Sequence, residues 1–253
     1  MANILSYVEV GAELLRLVDD LISRHPWRLK EKKATRYLIE GLILSLNGNT
    51  EDAAEKFLKM NYHFKKWDAN YLMAMCLAKA CGDTNEWSKI QYSKKAISLF
   101  SDLLKNFNEY KGDKKDEMKA NLFRWLGRMK KVCLVASLNK GICQKTRDQK
   151  FLLYGEPIDL GEKQNCSFQD FMEDIFKTLK DGLEIAEKNN FKQIEDEIKY
   201  EMACLFAISG NVEMVNSLHE EIGYDTDLGR LLYKRIKEYY NPEMAESLHT
   251  EAE

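Results

Sequence analysis

Proline is nearly missing from this chain of 253 residues: only Pro26, Pro157 and Pro242 occur, so nothing between Pro26 and Pro157 must break a helix for want of an N–H. No stretch alternates apolar and polar residues between turn signals, which argues against strands. The expected class is therefore all-α. Helices are predicted near 2–24, 30–47, 50–64, 68–81, 84–107, 114–140, 167–188, 191–209, 211–222 and 225–240. Gly48, Gly82 and Gly210 are read as stops, and Thr50, Thr84 and Ser167 as N-caps. One long irregular segment, 142–166 with Gly155, Pro157 and Gly161, reads as an insertion with no specific role.

The corners repeat. Gly48-Asn49-Thr50-Glu51 and Gly82-Asp83-Thr84 lie 34 residues apart, and Gly210-Asn211-Val212-Glu213 is a third of the same kind. This is tetratricopeptide-like spacing. In such helix pairs a small residue on the first helix lets its partner approach, and Gly41, Ala53 and Phe57 fall where that pattern wants them. Because the other repeats are degenerate, the architecture expected is an irregular antiparallel helical superhelix of about nine to ten helices.

Bulk charge narrows the partners. A formal charge of -3 from balanced acids and bases argues against a general nucleic-acid binder and makes any basic stripe a local feature. The first thirty residues, where Glu9, Glu13, Asp19 and Asp20 interrupt the apolar pattern, lack a secretory core, and no segment has the apolar length of a membrane span. Cys76, Cys81, Cys133, Cys143, Cys166 and Cys204 show no C-x-x-C spacing and mostly sit in apolar helical runs, as buried reduced thiols do. A cytoplasmic protein with no membrane contact is expected. The histidines His25, His63, His219 and His249 are scattered, and no P-loop, G-x-G-x-x-G or G-x-S-x-G is present, so the sequence points to no metal, no cofactor and no enzyme.

One stretch does point to binding. In K-A-N-L-F-R-W-L-G-R-M-K-K, residues 119–131, Arg124, Arg128 and Lys131 stand one above another on a helix face. Leu122, Phe123, Leu126 and Met129 occupy the opposite face and can enter a core. The stripe is accordingly expected to form an open anion-binding surface, and Arg124→Glu with Lys131→Glu to leave the helix folded.

Several segments, in order, resemble the 14-3-3 family. Asn70-Tyr71-Leu72, with Trp87 seventeen residues after Asn70, resembles that family's third helix, and Lys119-Ala120-Asn121-Leu122-Phe123-Arg124-Trp125-Leu126-Gly127 its fifth. Thr178–Ala186 resembles the A-Y-x-x-A-F-E-I stretch, and Leu205–Ile208 stands where Y-Y-E-I occurs. Tyr224-Asp225-Thr226-Asp227 with Leu231-Leu232 and Tyr239 is similar to the terminal Y-K-D-S-T…L-L-R-D-N-L-x-L-W. The resemblance spans 34–241. It leaves 1–33 as an N-terminal helical extension, with Leu14, Leu15, Leu17, Val18, Leu21 and Ile22 as apolar positions, and 242–253 as a flexible tail.

The resemblance implies an adaptor that holds phosphoserine, phosphothreonine or acidic segments of partner proteins in a groove, as a homodimer. Carried over by position, the third-helix lysine falls on Leu77 with Lys79 as substitute, and the arginine on Thr84. In the fifth helix Arg124 matches a groove lysine, Lys131 replaces the arginine and Val132 the tyrosine, while Arg128 adds charge. Tyr200 and Arg235 take the place of two asparagines and Tyr239 that of the closing tryptophan, with Leu228, Leu231 and Leu232 as an apolar strip. Lysine lacks the planar fork with which arginine grips phosphate, so ordinary phosphopeptides are expected to bind weakly. The competing expectation is a tetratricopeptide-like scaffold for unphosphorylated partner segments.

Overall fold

The computed structural model describes residues 36–41, 43–44, 47–61, 66–82, 85–139, 152–153, 156–157 and 168–236. Within them the architecture is all-α. Helical residues 36–41 and 43–44 are followed by α1 (Thr50–Asn61), α2 (Lys66–Ala80), α3 (Glu86–Lys105), a 3₁₀ turn (Phe107–Glu109) and α4 (Lys115–Asn139). Then come α5 (Phe168–Lys188), α6 (Lys192–Ser209), α7 (Val212–Ile222) and α8 (Asp227–Arg235). The expectation of no strands needs one correction. Between α4 and α5 a two-residue antiparallel ladder pairs Leu152 with Pro157 and Leu153 with Glu156, inside the segment read as irregular. So short a ladder leaves no room for alternation to register, and Pro157 sits at its end, where a missing N–H is tolerated.

The expected helix at 2–24, the caps Thr84 and Ser167, the extension 1–33 and the tail 242–253 lie outside the described residues. The chain divides into two compact units, Met1–Asp113 with Val132–Cys166, and Lys114–Lys131 with Ser167–Glu253. One break between the units falls at the start of α4, between Asp113 and Lys114, and another inside it, between Lys131 and Val132.

In the first unit α1 packs on α2 and α2 on α3. From Ala69 to Ala80 almost every side chain of α2 is buried, which its nearly continuous apolar composition requires. Trp67 anchors the core. Its indole N–H donates to the Leu103 carbonyl at 3.2 Å, and its ring stacks on Tyr71 and tilts against Tyr110 at centroid distances of 5.6 and 4.9 Å. Such aromatic pairs contribute about 0.5–1.5 kcal/mol each beyond the area they bury. α3 is capped by Asn85, whose side chain accepts from the Ser88 N–H at 3.0 Å. The small-residue contact expected from the repeat is present: the Phe57 ring lies against Gly41.

In the second unit α5 is strongly amphipathic, burying Phe171, Ile175, Leu179, Gly182 and Ala186 at helical spacing. It packs on α6, α6 packs on α7, and α8 closes against both α6 and α7. Gly210 ends α6 in the left-handed conformation, and Asn211 and Thr226 cap α7 and α8 through the N–H groups of Met214 and Gly229. His219 Nε2 donates to the Gly229 carbonyl at 2.9 Å, tying α7 to α8. Among the described residues no helix is long and apolar enough to cross a membrane.

Glycine to alanine inside a helix ordinarily stabilises by about 0.5–1 kcal/mol. At Gly41 a Cβ would lie 2.6 Å from Phe57 Cε1, and Phe57 is fully buried and unable to swing away. Gly41→Ala is predicted to lose about 1–3 kcal/mol net in denaturant unfolding. A gain in stability would mean that these helices do not touch there.

Candidate functional site

α4 is a long uninterrupted helix with Asp116 and Glu117 in its first turn, where carboxylates complement the helix dipole. Residues 122, 126 and 129 turn into the core as predicted, Leu122 and Met129 almost completely. The basic face is also covered, contrary to the expectation of an open stripe. Arg124 and Lys131 are 6 % and 7 % exposed, while Arg128 is half-buried.

The cover is α6, which presents Glu197 and Glu201 four residues apart. Arg124 pairs with Glu197, Lys131 with Glu201, and Arg128 Nε stands 3.6 Å from the other Glu201 oxygen. Pair positions ascend together along both helices, so α4 and α6 run in the same direction. α5 runs back antiparallel along α4: Gly127 faces Leu179, Gly182 faces Phe123, and Lys130 reaches Asp174 at 2.5 Å and Thr178 at 3.0 Å. The guanidinium groups of Arg124 and Arg128 also sit 4.9 and 5.0 Å from the Trp125 ring centroid, and Lys131 Nζ lies 5.5 Å from that of Tyr200.

Electrostatics follow from this packing. Burial by itself would raise the Glu201 pKa, but Lys131 and Arg128 together hold the carboxyl below its ordinary value. Burial pushes the phenol of Tyr200 well above its usual range and raises the Cys204 thiol beside it. Lys199, on the next face of α6, is shared between Glu195 at 2.8 Å and Glu221 at 2.7 Å; despite burial its pKa is raised by these two hydrogen bonds.

The sequence-predicted residues therefore divide. Arg124, Arg128, Lys131 and Tyr200 are brought together, with Arg235 close enough to act on Tyr200 and Cys204. Leu232 is wholly buried in the cluster formed by Tyr200, Cys204, Val215, Leu218 and Ile222, and Leu228 and Leu231 pack half-buried at its edge. Lys79 belongs to the first unit, at the C-terminal end of α2, where burial lowers its pKa. Tyr239 and Thr84 lie outside the described residues. Glu197 and Glu201 were missed. The signal that marks them is an acidic pair at the spacing of Arg124 and Arg128, on another helix. Among the described residues no three His, Cys, Asp or Glu side chains are grouped to hold a metal ion.

Compared with known proteins, the chain matches no family model, no curated protein and no solved structure. The 14-3-3 resemblance thus rests on the sequence segments that carry it.

Removing one partner of a buried ion pair leaves the other charge desolvated, at a cost of about 3–5 kcal/mol, whereas an apolar replacement of the whole pair is often neutral. Glu201→Gln alone is predicted to lose stability on that scale, and Lys131→Met added to it to recover much of the loss, as read by a double-mutant cycle in denaturant. The reversal Arg124→Glu with Lys131→Glu, placed opposite Glu197 and Glu201, is now expected to unfold the second unit. Single-variant losses within about 0.5 kcal/mol, the ordinary surface value, would mean that the pairs are solvated.

Proposed function

We propose that this chain is a non-enzymatic helical scaffold that holds a segment of a partner protein mainly through apolar contacts, in the tetratricopeptide manner. The observation that carries this reading is the pairing of the two most buried stripe cations, Arg124 and Lys131, with Glu197 and Glu201. An acidic peptide would have to displace carboxylates that the fold already holds in place, and exchanging one ion pair for another yields little net free energy. Leu228 and Leu231, half-buried at the margin of the second unit's core, are the apolar surface that such a scaffold would use. Among the described residues Cys76, Cys81, Cys133 and Cys204 are buried and in no disulfide, which suits the reducing cytoplasm in which we place it.

A surplus of charge supports a second reading, the binding of an acidic or phosphorylated segment in the 14-3-3 manner. Arg124, Arg128 and Lys131 face the two carboxylates Glu197 and Glu201, and the Arg128 side chain keeps 26 % of its surface in solvent. Homodimerisation, implied by the resemblance, is not required by either reading.

The two readings differ in salt and phosphate dependence. Partners captured on the immobilised full chain are predicted to persist from low salt to about 1 M, where the Debye length falls to about 3 Å, and to survive phosphatase treatment. Loss under both treatments would overturn the apolar reading in favour of the charged one.

A further inference from the structure

The first described helix pair carries an apolar surface that remains exposed among the described residues. Among the described residues the exposed large hydrophobic side chains are Ile39, Ile43, Leu58, Trp87 and Met214, so three of the five lie on residues 36–44 and α1. Ile39 and Ile43 are about half-exposed and four residues apart, one above the other on a single helix face. Beside them runs a groove of about 480 Å³ lined by Glu40, Ile43, Leu44, Asp52, Glu55 and Lys56. The ions on its rim are largely paired within the chain. Glu40 accepts from Arg36 at 2.7 Å and from Lys56 at 2.6 Å, and Glu55 accepts from Lys59 at 2.6 Å. A charged ligand would find Glu40, Lys56 and Glu55 already paired, and the exposed Ile43 offers it an apolar contact instead.

A fitting occupant precedes it in the same chain. Tyr7, Val10, Leu14, Leu17 and Leu21 recur in the sequence at alternating spacings of three and four, the pattern expected of an amphipathic helix seam, while Glu9, Glu13, Arg16, Asp19 and Asp20 fall between them. The chain from Ser23 to Thr35 joins this seam to Arg36, and at about 3.3 Å per residue it is long enough to fold back on the adjoining pair. Tethering puts the seam at an effective concentration near the millimolar range, which favours it over a second copy or a separate partner. We infer that the groove between residues 36–44 and α1 is a docking surface for an amphipathic helix, and that its occupant is this chain's own segment 7–22.

Hydrogen exchange on the full chain tests this, with Ile43→Asp as the groove variant and Leu14→Asp with Leu21→Asp as the segment variant. Ile43 is half-exposed, so the first substitution opens no cavity in the core. If the inference holds, Ile43→Asp speeds exchange across 7–22 by about tenfold or more. The segment variant then speeds exchange across 36–61, and 66–139 is unchanged in both. Unchanged exchange across 7–22 in Ile43→Asp overturns the inference. So does a shift from dimer to monomer in sedimentation of either variant, which would assign the groove to a second copy.

Discussion

The second unit depends on a small ionic lattice between two helices that run the same way. Arg124 meets Glu197, and Lys131 with the half-buried Arg128 meets Glu201. Burying charge costs several kcal/mol per ion, so the arrangement holds only while every member has its partner. An offset of α6 by one residue toward its C-terminal side would leave the cations facing Ile198 and Met202 instead of carboxylates, and the opposite offset would put Tyr200 before Lys131. The lattice thereby sets the register on which the neighbouring apolar contacts rely, including Tyr200 and Cys204 against Leu232. Lys130 with Asp174 and Thr178 does the same work for α5.

Local neutralisation recurs in the first unit, where Glu40 is matched by Arg36 and Lys56, and Glu55 by Lys59, at a solvent-accessible surface. There the pairs add little to stability. Their consequence is functional: the ions on these faces are largely occupied, and what stands open is apolar. The proposed scaffold role and the proposed docking of segment 7–22 both follow from that property, each from its own unit.

Much of the helical layout was legible in the sequence because its signals are local. Scarce proline, Gly48 and Gly210 at corners and the apolar steps of Phe171, Ile175 and Leu179 place helices within a few residues of their observed ends. The contact of Gly41 with Phe57 was legible too, since the repeat pattern encodes a pairwise approach. The site was less so. A stripe of Arg124, Arg128 and Lys131 reads identically whether water or Glu197 and Glu201 lie opposite, because the deciding residues are some seventy positions away on another helix. Tyr200, expected as a groove wall, is buried for the same reason. The ladder at Leu152–Pro157 is too short to carry a periodic signal.

The central claim is that the basic face of α4 is part of the protein's interior, matched by carboxylates of α6. Titration of the Glu201 side-chain carboxyl by ¹³C NMR tests it directly. Lys131 and Arg128 hold the folded-state pKa below the ordinary 4.5, so Glu201 adds stability above that pH and loses it as the pH falls through the lowered value. The account predicts a Glu201 midpoint below the ordinary 4.5 of an exposed glutamate. A midpoint at or above 4.5 would contradict it, showing a carboxylate without its cations and a basic face open to ligands.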